Sequence, residues 1–100
     1  MARVIWTERA AADLQAIYRF IARDASRAAD LTIDRIVSSV NRLDQFPGSG
    51  RQVPETGRAD LREVIVSPYR VIYLLRHDEV FVLTVHHGAR PLRGEELLRG

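Results

Sequence analysis

Apolar residues follow two different periods along this chain. Between residues 8 and 46 they recur every three or four positions, and from 61 to 87 they form short dense blocks. Arg3-Val4-Ile5-Trp6 predicts a short opening strand. Thr7 offers a side-chain oxygen as N-cap and Glu8 a negative charge in the first turn, so a helix is predicted to begin there. Ala10, Leu14, Ile17, Tyr18 and Ile21 make one stripe, with Arg9, Asp13, Arg19 and Arg23 mostly off it, which carries the helix to about Arg23. Asp24-Ala25-Ser26 interrupts the pattern, and Ser26 is the expected cap of a second helix. Its stripe is Ala29, Ile33, Ile36, Val37, Val40 and Leu43, ending near Phe46 because Pro47-Gly48 cannot continue a helix. So short a turn makes the helices an antiparallel hairpin. Their stripes cannot be satisfied by each other alone, so a sheet must cover the rest.

Residues 47–60 contain three glycines and two prolines and are expected to form a long loop, functional or partly mobile. Residues 61–66, 69–76 and 80–87 are rich in Val, Ile, Leu, Phe and Tyr and read as strands. Connections as short as Ser67-Pro68 and His77-Asp78-Glu79 allow only an antiparallel meander. The strands are apolar on both faces, so much of the meander should be covered. The tail, 88–100, is polar, carries Arg90, Arg93 and Arg99, and is expected to lie exposed with too few apolar residues to be core; 95–99 is expected to add one helical turn. The predicted fold is α+β, in the order β-α-α-β-β-β, with a helix hairpin on a mainly antiparallel sheet, as one domain over 1–100.

Composition narrows the chemistry. Hydrophobic residues at 46% and charged residues at 28% are those of a soluble globular protein. The absence of cysteine excludes disulfides and thiolate metal sites. Apolar runs of four or five residues at most predict neither export nor membrane insertion. All 15 basic residues are arginine, yet the net charge is only +2, so phosphate binding would need a local cluster. There is no glycine-rich phosphate loop and no HExxH pair, and the serines lack a nucleophile-elbow context. His86 and His87 are adjacent on a strand and point to opposite faces, so they cannot share a metal without distortion; neither a metal nor a cofactor is expected.

Candidate chemistry gathers at the strand ends, in Arg62, Arg70, His87 and Arg90. Meander pairing brings Arg70 toward His86 or His87 and leaves Arg62 nearer the opposite end. Set against this is a solvated rim in which the arginines pair with Asp60, Glu63 or Glu55. Tyr69 and Tyr73 are expected in the core with their hydroxyls at its edge, and Trp6 as a hydrophobic staple beside the first helix.

Several segments together resemble toxins of the ParE/RelE superfamily, closer to the ParE-like branch. Ala10-x-x-Asp13-Leu14-x-x-Ile17 with Ile21-Ala22 resembles the first helix of ParE-type toxins. Phe46-Pro47-x-x-Gly50-Arg51 resembles the loop after the second helix, Tyr69-Arg70-Val71-Ile72-Tyr73 the central strand, and Val85-x-His87-Gly88-Ala89-Arg90 the last strand and its exit. The resemblance covers about residues 3–92. It implies a cytoplasmic toxin of a type II toxin–antitoxin system, held by a cognate antitoxin, expected to be of the ribbon-helix-helix type. It implies a DNA gyrase inhibitor; the alternative is a ribosome-dependent mRNA endonuclease of the RelE type, using the 2′-hydroxyl of the RNA. For the endonuclease, the candidate residues are Glu55, Arg62, His87 and Arg90, as base, phosphate holders and acid. For target binding they are Arg51, Arg70, Arg90, Arg93 and Arg99. The small side chains Ala11, Ala22, Ala25 and Ala28 on the hairpin are the expected antitoxin-binding surface.

Overall fold

A computed structural model describes residues 1–98. Strand β1 (Arg3–Trp6) leads into helices α1 (Glu8–Ala22) and α2 (Ser26–Asn41). Strands β2 (Arg51–Gln52), β3 (Leu61–Val66), β4 (Tyr69–Arg76) and β5 (Glu79–His87) follow. They form one sheet in the order β1-β5-β4-β3-β2. The meander is antiparallel as expected, but β1 runs parallel to β5, with Val4 opposite Val80 and Trp6 opposite Val82. The hairpin and strands β2 to β4 together make the long connection that this parallel pair requires. The sheet is therefore mixed.

Local signals set the helix ends in part. The Thr7 hydroxyl accepts from the Ala10 N–H, as the cap reading requires, and donates to the Val82 carbonyl, so the start of α1 is also tied to β5. Ser26 does not cap α2: Ala25 holds the cap position and no side chain bonds there. The second helix also ends earlier than the stripe suggests. After Asn41 the chain tightens into a 3₁₀ turn, Arg42–Asp44, which carries Leu43 into the core. Ala10, Ile36 and Val40 meet Val66, Val71, Tyr73, Val80, Val82 and Val85 on one face of the sheet.

The other face is covered by segments that look like loop and tail. Residues 47–60 are not structureless, because β2 pairs with β3 through Arg51 and Glu63, and Val53 is fully buried. The tail is not an exposed arm either. Its 3₁₀ turn, Gly94–Glu96, delivers Leu97 into a cluster with Val53, Leu61 and Ile72, and Leu92 packs against the same cluster. Burying one such leucine fully contributes about 1.5–3 kcal/mol. Arg99 and Gly100 lie outside the described residues, so the turn expected over 95–99 is seen only as Gly94–Glu96.

Tyr73 is wholly buried, and its hydroxyl sits where the loop crosses the sheet. It donates to the Pro47 carbonyl at 2.7 Å and accepts from the Gly50 N–H at 3.0 Å. A Cβ on residue 50 would lie 2.6 Å from that hydroxyl and 2.8 Å from the Glu63 carbonyl. Tyr73→Phe leaves the Gly50 donor unanswered and should cost about 1–3 kcal/mol in urea unfolding. Gly50→Ala should lower the urea midpoint as well, because backbone, not only side chain, must shift. A stability unchanged by either substitution would contradict this junction.

Candidate functional site

Register decides which chemistry can meet. Tyr69 pairs with His87 and Arg70 with His86, so each neighbouring pair divides between the two faces of the sheet. On the helix face, a cleft of about 610 Å³ opens between α1 and the ends of β4 and β5, bordered by Asp13, Ile17, Phe20, Tyr69, Val85, His87 and Arg90. The Tyr69 and His87 rings meet edge to face, centroids 5.5 Å apart. The Ala89 N–H donates to His87 Nδ1, which leaves Nε2 to carry the proton of the neutral ring. Asp13 is committed to structure: its carboxylate accepts from the Thr84 hydroxyl and the Val85 N–H. It holds α1 to a bulge in β5, where Thr84 faces Ile72 and Val82 faces Tyr73.

On the opposite face a carboxylate is buried under arginines. The Glu63 side chain is 0% exposed. Arg51 Nε reaches it at 2.6 Å and Arg70 Nε at 2.7 Å. Arg70 also grips Glu55 with both terminal nitrogens, at 2.8 Å each. This hydrogen bonding holds the Glu55 carboxyl down at about 2, against a smaller opposing effect of burial. Arg70 is correspondingly raised above its ordinary value, first by its bond to Glu55. The pairing of arginines with Glu55 and Glu63 was expected as a solvated rim; Glu55 does lie at the surface, but Glu63 is buried, so the arginines form a clamp that reaches from the surface to an internal carboxylate. The tail rests on it, since a Cβ on Gly94 would lie 3.1 Å from the Glu55 carbonyl and 3.0 Å from Thr56.

The predicted site residues are thus distributed. His87 and Arg90 border one cleft. Glu55 and Arg70 form the clamp on the other face, so Arg70 neighbours His86 but not His87. Arg62 lies opposite Tyr73, roughly 13 Å along the sheet from the Tyr69–His87 pair. Its guanidinium donates to the Gly50 carbonyl at 2.9 Å and the Ala59 carbonyl at 3.1 Å. Arg51 and Arg93 are exposed; Arg99 lies outside the described residues. Ala11, Ala25 and Ala28 are exposed and Ala22 half-buried, and none of them borders the cleft. Asp13 and Phe20 were not singled out for these roles. Phe20 had a signal: an aromatic side chain off the helical stripe, here 70% exposed. Among the described residues no group of three or more His, Asp or Glu side chains could hold a metal ion, and no helix is long and apolar enough to cross a membrane.

Residues 4–92 match the family of ParE toxins of type II toxin–antitoxin systems, parDE. The chain is 36% identical over 91 residues to Toxin RelE2 of Caulobacter vibrioides, covering 90% of this chain and 99% of that protein. It is 31% identical over 96 residues to Toxin ParE3 of the same organism, covering 95% of each. A structure of the chromosomal ParDE TA system from P. aeruginosa superposes with a TM-score of 0.74 at 26% identity, covering 87% of this chain and 96% of that one. The YoeB/ParE toxin from Agrobacterium tumefaciens shares the fold, with a TM-score of 0.55 at 19% identity over 85% of this chain and 96% of its own.

The clamp has an acid limit. Glu55 has an ordinary value of 4.5 and is lowered to about 2 in the fold. Its contribution is therefore complete above 4.5 and is lost as pH falls through 2. The urea midpoint of the wild type should fall between these values more steeply than that of Glu55→Gln. Parallel curves for the two proteins would show that the pair with Arg70 does not stabilise the fold.

Proposed function

The chain belongs to the ParE toxin family of type II toxin–antitoxin systems, and from that premise we propose that it inhibits DNA gyrase and is neutralised by a cognate ribbon-helix-helix antitoxin in the cytoplasm. The observation that carries the choice of target is the dispersal of the endonuclease candidates. In-line cleavage needs a base, an acid and a phosphate holder converging on one phosphodiester. Glu55 is held as a carboxylate of very low basicity on the face opposite His87. Arg62 is spent on backbone carbonyls. A protein target, by contrast, needs only an exposed surface of suitable charge. Arg51 and Arg93 offer one on the clamp side and Arg90 another at the helix-face cleft; Arg70, enclosed by two carboxylates, acts as a positioning residue beneath the first. The arginine of the tail is held in place because Leu92 and Leu97 anchor the segment that carries it.

The endonuclease reading keeps one observation in its favour: His87 and Arg90 do share a cleft. Expression without antitoxin separates the two. Gyrase inhibition should give filamentous cells with an induced DNA-damage response, and mRNA cleavage a rapid translation arrest with cut transcripts. Normal growth would contradict both.

Two substitutions test the surface. Arg93→Glu reverses an exposed charge whose nearest carboxylate, Glu96, is 4.0 Å away. It should weaken gyrase inhibition in a supercoiling assay by ~10-fold, about 1.4 kcal/mol of binding, while antitoxin binding persists. His87→Ala should have a small effect on inhibition; a loss of about 10²–10⁴ in an mRNA-cleavage assay would assign it as a general acid and overturn the gyrase reading.

A further inference from the structure

A groove of about 450 Å³ runs between α2 and the end of β3, bordered by Leu31, Asp34, Arg35, Ser38, Arg42 and Ile65. It lies toward the edge of the sheet opposite β1. β2 pairs only with Arg62 and Glu63, so among the described residues no strand covers that edge of β3 from Val64 to Val66. Leu31 stands 55% exposed and Ile65 51%. An open strand edge beside exposed apolar side chains is a surface that folded chains ordinarily cover. The charges beside it are unspent: Asp34, Arg35 and Arg42 form no ion pair among the described residues. The Arg42 guanidinium has only the Ser39 hydroxyl, at 3.4 Å.

The order of these side chains along the helix is self-complementary. Leu31, Asp34, Ser38 and Arg42 succeed one another at helical spacing, and the Phe46 N–H bonds the Arg42 carbonyl, which continues the line by one turn. Their chemistry reads apolar, acidic, small, basic, apolar. Asp34 and Arg42 stand four residues before and after Ser38, about 6 Å along the axis in either direction. Leu31 and Phe46, the latter also exposed, stand at nearly equal distances beyond them. An antiparallel copy of α2 with its own Ser38 facing this one therefore sets Asp34 against Arg42 twice, and Leu31 against Phe46 twice, as a two-fold contact requires. The small Ser38 side chain at the centre lets the helix axes approach to the usual packing distance.

We propose that this α2–β3 edge is the interface of a symmetric dimer of the chain, with Ser38 on the two-fold axis. The two copies of Ile65 then approach across the same axis and cover the stretch of β3 that β2 leaves open. Charge complementarity selects the occupant: a surface that carries Asp34 and Arg42 equally spaced about one point is matched by its own rotated copy. A nucleic-acid backbone would be repelled at Asp34. The cleft between α1 and the ends of β4 and β5 takes no part, since none of its bordering residues borders this groove. The dimer is independent of which macromolecule the chain inhibits.

The test is sedimentation equilibrium on the purified full-length chain, which should show a concentration-dependent monomer–dimer equilibrium. Asp34→Arg and Arg42→Asp should each weaken the dimer by about 10-fold or more, because the symmetry sets like charges together twice. An equimolar mixture of the two variants should dimerise again, since each copy then supplies the charge that the other needs at both contacts. That recovery requires both variants to be folded, so it is its own control. The chain has no cysteine, so Ser38→Cys introduces a single thiol. Mild oxidation should link two Ser38→Cys copies, which the axis brings within disulfide reach, while Ser49→Cys, exposed in the 47–60 segment, should stay unlinked. A wild type that sediments as a monomer up to about 1 mM overturns the proposal. So does a dimer that withstands both charge reversals, a mixture of folded variants that stays monomeric, or equal linking through residues 38 and 49.

Discussion

A sheet with apolar side chains on both faces must be covered twice, and this chain has only one helix hairpin to do it. The hairpin takes the face of Val71, Tyr73, Val80 and Val82. Leu61 and Ile72 on the other face would remain wet without Val53 from the segment after α2 and Leu97 from the C-terminal segment. This second cover draws the ends of otherwise polar stretches into the core. It also explains why Arg93, an exposed charge, sits on a segment that is anchored rather than loose.

Two charged groups fasten the two covers, one on each side. Asp13 joins α1 to the β5 bulge through the Thr84 hydroxyl and the Val85 N–H. Hydrogen bonds to a charged acceptor contribute about 1.5–3 kcal/mol. Glu63 joins β3 to β2 through Arg51 and to β4 through Arg70, and Arg70 extends the connection to Glu55. A buried ion pair contributes little net stability, since desolvation offsets most of the Coulomb attraction. Its effect here is positional: it allows the 47–60 segment to cross the sheet in one place, with Gly50 against Tyr73 and Gly94 against the Glu55 backbone.

The division into faces also separates functions. The clamp face uses its charged groups on one another, so its arginines and carboxylates are largely neutralised internally. The helix face leaves Arg90, His87 and Phe20 open around a cleft. Faces of such differing chemistry allow binding at one to be altered without disturbing the other.

Much of the architecture was legible in the residues themselves. The stripe of Ala10, Leu14 and Ile17, the Thr7 cap, the meander from Leu61 to His87 and the opposite orientation of His86 and His87 all follow from local periodicity, which needs no knowledge of distant residues. The same is true of the buried Tyr73 and its edge-seeking hydroxyl. What local pattern could not supply was pairing across long separations. The parallel placement of β1 on β5, Asp13 on Thr84 and Leu97 over Ile72 each join segments far apart in the chain. A polar tail with three leucines reads as exposed until the uncovered face of the sheet takes up two of them. Glu55 and His87 could share a role on paper until the pleat sent Arg70, and Glu55 with it, to the face opposite His87. Sequence determined which surfaces had to be buried; tertiary structure decided which segments buried them, and so which charges were left facing outward.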